Sequence, residues 1–269
     1  MSLLIKGCPQ GQVQVQLPEG CLQYVGFAAY RLSLGESLAL SAGDHELCVV
    51  VLAGRLDLEG HAPGQGAIGW GNVGGRDCVF EDRSPYAVYL PPDTQVRVSA
   101  LSNLQIAVCS APGSRDAGWP ARLIDPASMR RSVRGKGANT RYVCDILPDT
   151  GDAHSLLVVE VRTPPGHSSS YPPHKHDTDD LPHQSLLEET YYHRVNPPQG
   201  FVFQRVYTDD RSLDEAMAVE NGDLVMVPKG YHPVCAPYGY ESYYLNVMAG
   251  PRRVWQFHND PRHAWLLDA

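Results

Sequence analysis

Every apolar run in this chain is short, and that limits the fold more than any other feature. Ten segments rich in β-branched and aromatic residues recur along it: Val13–Leu17, Leu47–Leu52, Ala87–Leu90, Gln95–Ser99, Leu104–Cys109, Leu156–Arg162, Thr190–Val195, Phe201–Tyr207, Asp223–Val227 and Ser242–Met248. Gly, Pro, Asn and Asp punctuate them, and 25 Gly with 22 Pro supply turns at the density such a pattern needs. Short strands at this spacing build antiparallel sandwiches or barrels. Helix is expected only at Pro126–Val133 and Leu213–Met217. The chain reads as all-β.

At 269 residues there is room for one large domain or two modest ones. Two stretches favour a duplication. Val88-Tyr89-Leu90-Pro91-Pro92-Asp93-Thr94-Gln95 resembles Val225-Met226-Val227-Pro228-Lys229-Gly230-Tyr231-His232, with Gln95 where the second copy has His232. His45-Glu46-Leu47-Cys48 likewise aligns with Glu188-Glu189-Thr190-Tyr191. The Pro-, Gly- and Arg-rich segment from Pro112 to Asn139 reads as the connection, giving units of 1–125 and 126–269.

Acidic residues outnumber basic ones 30 to 22, for a net charge of -8. No basic face for nucleic acid or an anionic membrane is expected. No apolar run approaches the roughly 20 residues that span a bilayer, and Met1–Lys6 lacks the core of a secretory signal. The seven cysteines are scattered and form no Cys-x-x-Cys pair, the pattern of reduced thiols. A cytoplasmic protein is expected.

Chemistry concentrates in the second half, where nine of the eleven histidines lie beyond residue 150. His174 and His176 flank Lys175, so on an extended segment both imidazoles share a face and Lys175 points away into solvent. Glu189 opens a strand-like run, and His232 follows a Pro-x-Gly turn. Three imidazoles and a carboxylate suit a divalent metal such as Zn, Mn, Fe or Ni. Glu188 should face away from Glu189. His183 is expected in a solvated loop, and His167, His258 and His263 as structural or surface residues.

The order His-x-His, then Glu, then Gly222 through Pro228-Lys229-Gly230 to His232 resembles the cupin signature. Pro172–Asp177, Glu188–Tyr192 and Tyr238–Pro251 more narrowly resemble the 5-deoxy-glucuronate isomerase family of inositol catabolism, related to the 5-keto-4-deoxyuronate isomerases. The resemblance implies a bicupin of two double-stranded β-helix (jelly-roll) barrels, the first degenerate and without metal ligands. It also implies a metal bound by His174, His176, Glu189 and His232, and an aldose–ketose isomerase converting 5-deoxy-glucuronate to 2-deoxy-5-keto-gluconate. The spacing departs from the general pattern: twelve residues separate His176 from Glu189, which inserts a loop over Asp177–Leu187 beside the site.

Alternation nominates the residues around the metal. If Glu189 points inward, so do Tyr191, a donor to a sugar oxygen, and His193, a proton shuttle. Only one of Gln204 and Arg205 can line the cavity: Arg205 would bind a substrate carboxylate, Gln204 a hydroxyl. Tyr244, Asn246 and Met248 share a face on the final strand. The expected partners are a small sugar acid and further copies of the same chain, as a homo-oligomer. A metal-dependent cupin dioxygenase and a non-enzymatic sugar-binding bicupin are the alternatives.

Overall fold

A computed structural model describes residues 2–267. Met1, Asp268 and Ala269, at the outer ends of the two expected units, lie outside the described residues. Four sheets carry the fold. A six-stranded sheet (order Arg122–Ile124, Ala87–Leu90, His45–Ala53, Leu104–Pro112, Gly26–Leu32, Val13–Gln16) lies with a four-stranded one built from Ser37–Ser41, Gln95–Ala100, Arg55–Ala62 and Gly66–Gly74. Leu47, Val49 and Val51 of the former share a core with Leu56, Leu58, Val96 and Val98 of the latter. In the second half, a seven-stranded sheet runs through Leu224–Val227, Glu188–Asn196, Glu241–Ala249, Leu157–Thr163 and Arg141–Leu147. Its four-stranded partner includes Phe201–Tyr207 and Asp214–Glu220. The strand Leu4–Ile5 crosses over to the edge of the seven-stranded sheet, pairing with Leu224 and Val225.

The two large sheets pack face to face. Cys48, Val50 and Leu52 turn away from their own barrel into a core shared with Val158, Leu245 and Val247, and Phe27 meets Tyr192 with ring centroids 5.4 Å apart. This is why His45–Ala53 and Glu241–Ala249 are buried along almost their whole length: both faces of each strand are covered. The outer strands alternate, as Asp214–Glu220 does. The helix expected over Leu213–Met217 is therefore a strand. Met217 and Val219 point inward, and pairing with Phe201–Tyr207 overrides the helix propensity of Ala, Glu and Met. Of Pro126–Val133, only Pro126–Ser128 is helical, a single turn capped by Asp125, and Arg130–Arg134 is a strand.

Strand register keeps Leu90 level with Val227 but sets the stretch from His45 to Cys48 one residue away from its sequence alignment. Leu47 lies opposite Leu90 and Ser110 as Glu189 lies opposite Val227 and Met248. The counterpart of Glu189 is thus Leu47, and Tyr191, His193, Asn246 and Tyr244 correspond to Val49, Val51, Val108 and Ile106, all in the first barrel's apolar core. Glu46 instead matches Glu188, and both reach across the interface. Glu46 accepts the backbone N–H of His154, Ser155 and Leu156 at 2.6–2.8 Å. Glu188 accepts those of Gln23 and Tyr24 at 2.9 and 2.6 Å. Among the described residues, no helix is long and apolar enough to cross a membrane.

Candidate metal centre

His174 begins a two-residue strand paired with His258–Asn259 at the mouth of the second barrel. Its neighbour Lys175 points away, but not into solvent as expected. Its ammonium lies 2.6 Å from Asp209 and 3.2 Å from Asp177, over the Tyr231 ring. His232 follows a turn that only glycine fits: Gly230 has φ 92°, and a Cβ there would meet the Tyr207 carbonyl oxygen at 2.5 Å. The Gly230 N–H donates to Asp177 (2.9 Å), tying that turn to the His-x-His segment. One ring nitrogen from each of His174, His176 and His232 comes within 4.8 Å of the others, so the three could hold a metal ion.

Glu189 completes the group. Its Oε2 is 3.1 Å from Nε2 of His176 and 3.1 Å from Nε2 of His232. The Nδ1–H groups face elsewhere, His176 donating to the Leu187 carbonyl (3.0 Å) and His232 to that of Gly230 (2.8 Å). These bonds fix the tautomers that leave both Nε2 lone pairs aimed at a carboxylate. Nε2 of His232 is buried and, despite its distance from Glu189, makes no hydrogen bond. Such a convergence of lone pairs and negative charge fits a cation, and three nitrogens with one oxygen suit a divalent transition metal. Burial opposes ionisation of Glu189, but His232 and His176, when protonated, outweigh it and lower the carboxyl pKa. Burial, reinforced by His232 and His176, keeps His174 neutral.

A hydroxyl network lies beside the imidazoles. Tyr191 OH bonds Ser170 Oγ (2.9 Å), which reaches Tyr244 OH at 3.4 Å, and Tyr244 OH also meets Ser169. Ser170 holds a positive φ of 52°, strain of the kind found where a side chain must be aimed. Gln204 is buried behind these groups and accepts from His193 Nε2 at 2.8 Å; His193 in turn stacks on Tyr191. Arg205, expected as a rival for the cavity, lies outside it: alternation turns its guanidinium to the surface, where Asp214 binds it at 2.7 Å. His183 is exposed on the inserted loop, which folds as the small hairpin Asp177–Asp180 and Gln184–Leu186. The sequence reading passed over Ser169, Ser170 and Arg141. The serines sit in a run that looks like any loop, and Arg141 opens a strand, Arg141–Leu147, whose mixed composition hid it.

Burial pushes His193 down to about 4, against the bond to Gln204. A histidine in the unfolded chain titrates near about 6.5. Between those values the unfolded state takes up a proton that the folded state refuses, so stability is retained above that window and falls as pH drops through it. Urea unfolding at pH 6.5 and pH 4.5 is expected to show the protein losing about 2 kcal/mol more than His193→Gln does. Parallel losses would remove His193 as the cause.

Two jelly-roll barrels, the second holding three histidines and a glutamate around one point, define a bicupin. The oxalate decarboxylase of Lactobacillus farciminis shares this fold at a TM-score of 0.69 with 11% identity, over 100% of this chain and 91% of that one. The crystal structure of an IolB-like protein from Salmonella typhimurium LT2 superposes with a TM-score of 0.94 at 48% identity, over 99% of this chain and 100% of that one. The 5-deoxy-glucuronate isomerase of Geobacillus kaustophilus is 52% identical over 261 residues, 97% of this chain and 92% of that protein. That of Bacillus subtilis strain 168 is 48% identical over 248 residues, 92% of this chain and 89% of that protein. Residues 3–266 match the KduI/IolB family, and the chain belongs to it.

Proposed function

We propose that this protein is an aldose–ketose isomerase that converts 5-deoxy-glucuronate to 2-deoxy-5-keto-gluconate in inositol catabolism. The observation that carries the reading is the convergence of His174, His176, Glu189 and His232 in a chain about half identical to proteins named for that activity. Units of 1–125 and 126–269, a cytoplasmic location and a homo-oligomeric assembly belong to the same reading.

The reaction moves a hydrogen from the carbon bearing a hydroxyl to the neighbouring aldehyde carbon, and a proton from one oxygen to the other. A divalent ion held by the three histidines and Glu189 would polarise the carbonyl. The rest falls to the chain itself. Tyr191 and Tyr244, joined through Ser170, would donate to the sugar oxygens and pass the hydroxyl proton along the network. Gln204 fixes His193, and His193 packs on both tyrosine rings, so these two residues hold the phenols in place.

The test is anaerobic turnover of 5-deoxy-glucuronate by purified protein, followed by NMR, with metal content measured in parallel. Ketose formation without oxygen is the expected result. No conversion by metal-loaded protein, or conversion only with oxygen uptake, would overturn the reading.

A further inference from the structure

Beside the histidines opens a cavity of about 700 Å³ lined by His174, Arg141, Arg134, Lys136 and the rings of Trp255 and Phe257, among others. No aspartate or glutamate is among its described lining residues, although the chain as a whole carries a net charge of -8. A cationic chamber in an acidic protein selects for anions.

Its cations are not equivalent. Arg134 already has company, with Asp145 at 3.7 Å and the Trp255 ring 5.1 Å from its guanidinium carbon. Arg141 is different. One amino group donates to the backbone and side-chain oxygens of Asn139, at 3.1 and 3.0 Å. Asn139 is itself pinned through its amide to the Tyr171 carbonyl (2.9 Å), three residues before His174. Among the described residues, no carboxylate lies within ion-pair distance of Arg141; the groups that bear on it are the Tyr244 and Tyr191 phenols and the guanidinium of Arg134, its partner across the strand pair and a second cation. It sits close enough for its charge to bear on His174, Tyr191 and Tyr244. A partly buried guanidinium, oriented by neutral oxygens and left without a counter-ion, is incomplete until an anion arrives.

We propose that Arg141 anchors the carboxylate of the sugar acid, with the carbonyl end of the same molecule at His174. This rests on the isomerase reading for the identity of the substrate. It replaces Arg205, which Asp214 holds at the surface. The substrate suits the arrangement: a six-carbon chain has an aldehyde at one end and a carboxylate at the other, so one end reaches the metal ligands and the other the arginine. The anchor also sets specificity, because a neutral sugar would leave Arg141 unpaired against the same chamber.

The experiment compares the wild type, Arg141→Met, Arg141→Lys and Arg205→Met, each with its metal content measured. Kinetics with 5-deoxy-glucuronate are expected to show KM raised about 100-fold in Arg141→Met, with kcat within about threefold. Arg141→Lys, which keeps the charge but not the fork, should raise KM about tenfold, and Arg205→Met should leave it unchanged. Calorimetry with D-gluconate and D-glucitol, linear probes differing only at the carboxylate, gives a readout independent of turnover. The wild type should bind gluconate tightly relative to glucitol, and Arg141→Met should lose that preference. Equal binding of the two probes by the wild type would overturn the proposal without recourse to any variant. So would an unchanged KM in a folded Arg141→Met. Arg141-dependent gluconate binding in a protein that does not turn over 5-deoxy-glucuronate would uphold the anchor and sink the substrate assignment instead.

Discussion

Replacing His232 with alanine is expected to strip the bound metal and lower kcat/KM by about 1,000-fold or more, roughly 4 kcal/mol of transition-state stabilisation. Three observations put the effect at this size. The His232 imidazole is buried, its Nδ1–H bond to Gly230 turns Nε2 inward, and that nitrogen makes no hydrogen bond of its own. Removing it leaves three donors around a site shaped for four, and no neighbouring side chain can replace a ring fixed by a glycine turn. Elemental analysis of the purified variant, beside NMR turnover, checks both halves of the expectation. His183→Ala serves as the control, since His183 is exposed on the hairpin and should leave metal and rate unchanged. If His232→Ala kept its metal and its rate, the imidazole cluster would be a packing device.

The largest stability effect is expected at the Arg76–Glu160 pair between the barrels. Both residues are buried, at 3% and 6% exposure, and form two parallel bonds of 3.1 and 3.0 Å. Arg76 also donates to the Leu52 carbonyl, and Tyr243 donates to Glu160. Burial disfavours the guanidinium charge, but Glu160 and Tyr243 more than compensate and raise its pKa. Arg76→Met would leave Glu160 as a lone buried charge, at a cost of about 3–5 kcal/mol. Removing both charges, as Arg76→Met with Glu160→Leu, should recover much of that loss, because a desolvated ion pair is worth little against apolar packing. Urea unfolding of the two variants decides it. A double variant as unstable as the single one would mean that the bonds to Leu52 and Tyr243 dominate.

The all-β fold was legible because strand signals are local: Ala87–Leu90 and Phe201–Tyr207 have the bounds that their β-branched and aromatic residues mark out. The His-x-His pair and Glu189 could be read for the same reason, since period-two alternation needs no tertiary knowledge. What escaped the sequence was decided by partners far along the chain. Asp214–Glu220 is a strand only because Phe201–Tyr207 pairs with it. Glu46 looked like the counterpart of Glu189 until register showed it to match Glu188, a distinction of one residue that swaps the barrel interior for the interface. Arg205 and Gln204 were equal candidates by alternation, and the direction of the pleat alone separated them. Arg141 gave no local signal, because its importance lies in the counter-ion it lacks.

The reciprocal glutamates carry a consequence for how such a protein can change. Glu188, one residue before Glu189, is held by the backbone of the first barrel, and Glu46 is held by the backbone of the second. Severing the halves would leave each with a carboxylate stripped of the amides that offset its burial. The apolar interior of the first barrel, with Leu47, Val49 and Val51 level with Glu189, Tyr191 and His193, is therefore no sign that the barrel is dispensable: it is the wall against which the strand Glu188–Asn196 is set. A truncation that keeps only the second barrel would keep all four candidate ligands and still expose the face that its partner covers.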